Sequence, residues 1–253
     1  MLFRSVDLTW VKDSDVSGNT IYQIGQLISD GDVVSNPAAG ADVYPTGVRL
    51  QNVVSVSVTN NEVSNLVAVG AGESRGIHLF AAGNAAPNPV LARTIAINGN
   101  RLVMDDGSTG FTYGIAIGFG QNLNPGDTSS IYGLSIASNT IRNMSGPGVY
   151  INVGGGCTLE QASITGNDIS VLTNPVGTAG VGIQLLAVGS TDFADGIIRE
   201  VDISDNNIGD AAERGVYVGV ETGCTMTGVT VRNNTISTCT DRGIHVDVSQ
   251  APT

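Results

Sequence analysis

The residues with chemistry to offer fall at one recurring place. The pattern Gly-[Ile/Val]-x-[Ile/Leu/Val] starts at Gly47, Gly76, Gly114, Gly148, Gly182, Gly215 and Gly243, and the variant Ser5-Val6-Asp7-Leu8 precedes them. Its x residues are, in order, Asp7, Arg49, His78, Ala116, Tyr150, Gln184, Tyr217 and His245; Arg75, Tyr113, Arg214 and Arg242 stand just before a glycine. Tyr217 and His245 are candidate catalytic bases, with Arg214 and Arg242 beside them as cations able to stabilise a developing anion. Proton abstraction next to a carboxylate, the step of a polysaccharide lyase or epimerase, needs that combination. His78, Tyr113, Tyr150, Gln184 and Arg49 add ring faces and directional hydrogen bonds, which suit sugar rings as ligands.

Two other readings compete. A carboxylate-pair glycosidase needs two acids about 5–10 Å apart. The outward acids Asp7 and Asp247 belong to the first and last repeats, about 34 Å apart at the strand spacing, so a hydrolase is the less favoured enzyme. Asp105, Asp106, Asp127, Asp192 and Asp195 stand in insertions among turn residues, where aspartate is ordinarily a turn former. Glu73, Glu213 and Asp241 come one or two residues before Arg75, Arg214 and Arg242, so acid–arginine pairs are expected there. The second rival is structural. Outward strand positions favour aromatic and long polar side chains whether or not anything binds them. No zinc-ligand spacing, phosphate-binding loop or nucleophile elbow occurs, and no metal ligands are assigned.

The elements that must hold these residues are short strands. A second pattern, Asn-x-apolar, recurs at Asn19, Asn61, Asn100, Asn139, Asn167, Asn206 and Asn234. The residues two after, three before and eight before each Asn are apolar in every repeat, for example Ile141, Ile136 and Ile131 around Asn139. Within each piece apolar residues alternate, which is the period of a strand and not of a helix. A unit of this length repeated along the chain means a solenoid, in which each turn buries its apolar face only by stacking on the next. The Asn positions predict a tight bend with left-handed backbone and a row of stacked amides that satisfy one another.

On the motif GIxI…IxxNxI, with its corner row of asparagines, the chain resembles the pectate-lyase-like proteins. The resemblance spans residues 5–248. It implies an all-β fold, a right-handed, single-stranded parallel β-helix of about seven turns with three strands per turn, forming one domain over residues 1–253. That group contains lyases, hydrolases, epimerases, phage tailspikes and non-catalytic adhesins, so the fold does not select a function. The Asp clusters and catalytic Lys/Arg of its calcium-dependent lyases are not recognisable here, nor are the blocks of polygalacturonases. No cofactor is expected, a bound calcium being the one ion the resemblance leaves open.

Charge and composition narrow the partners. A net charge of −12 with a single lysine, Lys12, argues against nucleic acid, since little is present to neutralise phosphates. No apolar run approaches the roughly 20 residues of a membrane span, and no leader sequence is recognised at the N-terminus. Cys157 and Cys224 each lie ten residues before a repeat Asn, hence two turns or roughly 10 Å apart, beyond disulfide reach. All three cysteines are read as free thiols. Insertions at 22–46, 80–92, 103–113, 118–130, 170–181 and 186–197 are expected to wall the stripe into a groove. Neither end carries a capping helix, which suggests a segment of a longer chain or ends covered by partner subunits, a homotrimer if the chain is tailspike-like. The expected function is a polysaccharide-binding or polysaccharide-processing module, extracellular or on a virion surface. Its alternative is a non-catalytic stalk or adhesin.

Overall fold

The computed structural model describes residues 5–22, 46–64, 73–81, 90–103, 111–119, 129–154, 156–171, 180–189, 195–210 and 213–249. These form 22 strands and no helix, arranged in three parallel sheets visited in rotation by about seven turns of chain. The molecule is a parallel β-helix. The first sheet takes the Gly-Ile-x-Ile strands, from Val6–Thr9 through Glu73–Ala81 and Phe111–Phe119 to Arg214–Val220 and Arg242–Val248. The second runs from Lys12–Ser17 to Thr225–Arg232, and the third, of shorter strands, from Thr20–Tyr22 to Thr235–Ile236.

Each sheet turns one apolar column inward. Two residues after the repeat Asn, Ile21, Val63, Leu102, Ile141, Ile169 and Ile208 are completely buried, one on top of another. Burying each such side chain stabilises by about 1.5–3 kcal/mol, and every turn depends on its neighbours for that burial. In the last described strand the inward positions Ile244 and Val246 are 50% and 61% exposed. The glycine of Gly-Ile-x-Ile is required by close approach. A Cβ on Gly114 would lie 2.4 Å from the Gly148 carbonyl oxygen and 2.6 Å from Ile141 Cγ2.

The asparagine row forms in full. Nδ2 of each Asn donates to Oδ1 of the next, from Asn19 to Asn61 at 2.9 Å through to Asn206 and Asn234 at 2.9 Å. The same oxygen accepts the preceding residue's backbone N–H, as Asn139 Oδ1 does from Asn100 at 2.9 Å. The other amide proton goes to a backbone carbonyl of the turn before, for Asn139 that of Ile97 at 2.8 Å. The left-handed backbone, expected on the Asn itself, lies instead one residue earlier. Gly18, Asn60, Gly99, Ser138, Gly166, Asp205 and Asn233 have φ between 55° and 67°. The ladder Asn must point inward to reach its partners, so the bend is made by the residue that precedes it.

A second left-handed column was not expected. Asp13, Ser55, Thr94, Gly133, Gln161, Glu200 and Gly228, each six residues before a ladder Asn, have φ between 51° and 69°. They fall inside the second-sheet strands and are skipped by the register, which passes from Tyr132↔Glu160 directly to Leu134↔Ala162. Every strand of that sheet is therefore bent in the middle. The signal was present in the sequence: residues eight and three before the Asn both face inward, and an odd separation cannot be kept by an unbroken alternation.

Candidate functional site

The outward residues of the first sheet form one continuous column. Asp7, Arg49, His78, Ala116, Tyr150, Gln184, Tyr217 and His245 are consecutive strand partners. Arg75 pairs with Tyr113, and Arg214 with Arg242, in the column before the glycines. Side-chain contacts divide this stripe into two clusters with Gln184 between them.

The C-terminal cluster unites all four residues read as catalytic. Tyr217 and His245 stack with ring centroids 5.1 Å apart and planes at 27°. The Arg214 guanidinium lies 4.7 Å from the centre of the Tyr217 ring, within cation–π range. Arg242 Nη1 approaches His245 Nε2 at 3.1 Å. Carboxylates hold the cations in place: Glu213 at 2.8 Å and Asp241 at 3.4 Å from Arg214, and Asp241 at 3.6 Å from Arg242. A Cβ on Gly219 would sit 3.2 Å from the Tyr217 hydroxyl, so the glycine leaves room for the phenol to lie down along the sheet. Burial, and then the Asp247 carboxylate, push the Tyr217 phenol above the ordinary tyrosine value. A phenol held that way keeps its proton at neutral pH.

The N-terminal cluster is more enclosed. Arg75 is ion-paired to Glu73, and the Tyr113 hydroxyl donates to the same carboxylate at 3.3 Å. Tyr113 and Tyr150 pack with centroids 5.1 Å apart, and Asn152 Nδ2 donates to the Tyr150 hydroxyl at 3.0 Å. Burial raises the Tyr113 phenol, with Glu73 adding to it, and burial also raises that of Tyr150. His78 packs on Phe80 at 5.6 Å. Burial, with Arg75 and Arg49 nearby, lowers its imidazole to about 3, so it is neutral at physiological pH. Arg49 is held by Asp7 at 3.0 Å and Gln51 at 2.6 Å. The acid–arginine pairs expected at Arg75, Arg214 and Arg242 are all present.

The insertions expected to wall the stripe fall largely outside the described residues, as do Asp105, Asp106, Asp127 and Asp192. Asp7 and Asp247 lie in the first and last strands of the sheet and do not meet. Cys157, Cys224 and Cys239 are free thiols. Ile197 N–H donates to the carbonyl of Cys157, and Thr225 N–H to that of Gly196, so Gly196 occupies the level between Cys157 and Cys224. Among the described residues no three His, Cys, Asp or Glu side chains are grouped to hold a metal ion, and no helix is long and apolar enough to cross a membrane.

A groove missed by the sequence reading lies on another face. It has a volume of about 740 Å³ and follows the bend of the second sheet, with Lys12, Arg93, Thr94, Tyr132 and Glu160 in its wall. Tyr132 is 41% exposed. The residues just before the bend, Lys12, Val54, Arg93, Tyr132, Glu160, Arg199 and Thr227, are consecutive partners along it.

Comparison with family models, curated proteins and solved structures finds no match to this chain.

Proposed function

We infer that the chain is a polysaccharide-binding β-helix of the pectate-lyase-like kind, using the first-sheet stripe as its binding face. The observation that carries this reading is the pairing of ring faces with fixed arginines at two levels, Tyr113 and Tyr150 with Arg75, then Tyr217 and His245 with Arg214 and Arg242. Tyr150 and Tyr217 are two strands apart, about 10 Å, so successive units of a linear polymer can lie across both. Each arginine is already balanced by a carboxylate, which suits a neutral or sparsely charged glycan better than a dense polyanion. Such a ligand fits a protein that works outside the cell or on a virion surface.

A catalytic form of this reading is favoured by the C-terminal cluster. On a uronate unit, His245 would take the proton at C5, the C4–oxygen bond would break, and Tyr217 would protonate the departing oxygen. Arg214 and Arg242 would stabilise the carboxylate-derived anion. The test is a glycan-array screen of the purified chain, with ultraviolet absorbance of unsaturated products followed on every hit. Absorbance that grows with time and is lost in His245→Ala supports a lyase. Binding without turnover, weakened at least about tenfold in Tyr217→Ala, supports the binding module alone. A blank array with the fold verified by circular dichroism rejects both and favours a stalk.

A further inference from the structure

We propose that the bend of the second sheet is a separate binding site for a neutral pyranose sugar, with the Tyr132 ring as its platform. Three observations carry it. The groove follows a backbone feature: left-handed residues in register fold each strand of the second sheet, and along five of those strands, from Lys12 to Glu160, the outer surface holds a volume of about 740 Å³, a size suited to a small ligand. Tyr132 stands in that surface with its ring open to solvent, whereas the outward tyrosines of the first sheet, Tyr113, Tyr150 and Tyr217, are packed against a neighbouring ring.

The third observation concerns hydrogen-bonding capacity. Every described arginine pairs with a carboxylate except Arg93 and Arg199, and both of these lie in the groove-side column. Among the described residues the Glu160 carboxylate likewise makes no ion pair or hydrogen bond, although it stands between Tyr132 and Arg199. The order along the groove is thus donor, ring face, acceptor at steps of about 4.8 Å. A pyranose ring laid on Tyr132 by its C–H face puts one hydroxyl toward the Arg93 guanidinium as acceptor and another toward the Glu160 carboxylate as donor. Lys12 is already paired with Asp13 at 3.7 Å, so cations and carboxylates balance across the groove and a neutral sugar is preferred over a uronate. This site does not depend on the first-sheet stripe, which faces another way.

Two-dimensional amide NMR of the full chain tests it, titrating methyl β-glucopyranoside, methyl β-galactopyranoside and methyl α-mannopyranoside, with methyl β-glucuronoside as the charged comparison. At least one neutral glycoside is expected to shift the amides of Thr94, Ser130 and Gly133, with a dissociation constant on the order of 1–10 mM. Tyr132→Ala should weaken that at least about tenfold, Arg93→Gln and Glu160→Gln severalfold, and Tyr132→Phe little, because the ring face and not the hydroxyl makes the contact. Tyr132 is exposed, so these variants keep the dispersed spectrum of the folded chain. Shifts that survive Tyr132→Ala, or appear only with the glucuronoside, overturn the proposal, as does a flat response to all three neutral sugars. Shifts confined to Tyr150, Gln184 and Tyr217 also overturn it, while supporting the first-sheet stripe.

Discussion

Two columns of left-handed residues run the length of this molecule, and they are held by opposite means. At the ladder corner the bend is followed by one repeated chemical device, an amide that is buried from Asn61 to Asn206 and bonded there to the turns above and below. At the second-sheet bend no one residue type is required: Asp13, Ser55, Thr94, Gly133, Gln161, Glu200 and Gly228 share only a backbone conformation. The first corner is fixed by what its side chains donate and accept, and cannot vary. The second is fixed by the packing on either side of it, Ile131 and Leu134 in one turn and Leu159 and Ala162 in the next. Its outward side chains are therefore free to carry other chemistry. A groove with open polar groups lies along the second corner, as that difference leads one to expect.

The contrast can be broken most forcefully at the ladder. Asn139→Ala removes the acceptor of Asn100 and two donated bonds, leaving several buried polar groups without partners. At about 1–3 kcal/mol for each such group, a loss on the order of 3–5 kcal/mol is expected, read as a lower urea midpoint. A loss below about 1 kcal/mol would mean that the ladder is no more essential than the bend.

Neither corner's repeating device titrates, so acid sensitivity has to come from elsewhere, and His78 is a principal source. Its imidazole is depressed from 6.5 in the unfolded chain to about 3 in the fold. The unfolded chain therefore binds the extra proton first, and stability present above pH 6.5 is lost progressively as pH falls toward 3. His78→Gln should flatten that part of the stability–pH curve, whereas Asn139→Ala should lower the curve with little change in its slope.

Smaller effects are expected at the bend. Thr94 is β-branched and held at φ 56°, a conformation costing non-glycine residues about 1–2 kcal/mol, so Thr94→Gly should stabilise by roughly 1 kcal/mol. In the same column Gly133→Ala should cost about 1 kcal/mol through φ alone, since the nearest atom to the new Cβ, Thr94 N, is 3.7 Å away. Thermal unfolding of the two variants should shift in opposite directions; shifts of the same sign would show that packing and not backbone conformation sets the bend. Smallest of all, Arg199→Gln on the exposed side of that column should change stability by less than about 0.5 kcal/mol.

The ladder corner was legible because its demands fall on residue type. An inward amide needs Asn, the position two later needs an aliphatic, and the Gly-Ile-x-Ile glycine is required by the next turn's carbonyl. The outward column was legible for the same reason, since alternation assigns Tyr150, Tyr217 and His245 to one face. The bend was harder to read because Thr, Gln and Glu are poor left-handed residues whose presence conceals the conformation. Only the odd spacing between Ile131 and Ile136 betrayed it. Nor could the repeat spacing foretell which rings would pair. The stack of Tyr217 on His245 depends on the space above Gly219, and the enclosure of Tyr113 on Glu73 one strand away.

The spacing of the ladder asparagines has a different implication. They are 42, 39 or 28 residues apart in the chain, yet every step advances the coil by the same rung. Length along the axis is thus counted in whole turns, whatever the number of residues a turn contains. Excising residues 168–206 would join Asn167 to Asn207 and remove one graduation of this ruler. Tyr150 would then become the direct neighbour of Tyr217, and the two halves of the stripe would merge into one uninterrupted shelf of rings.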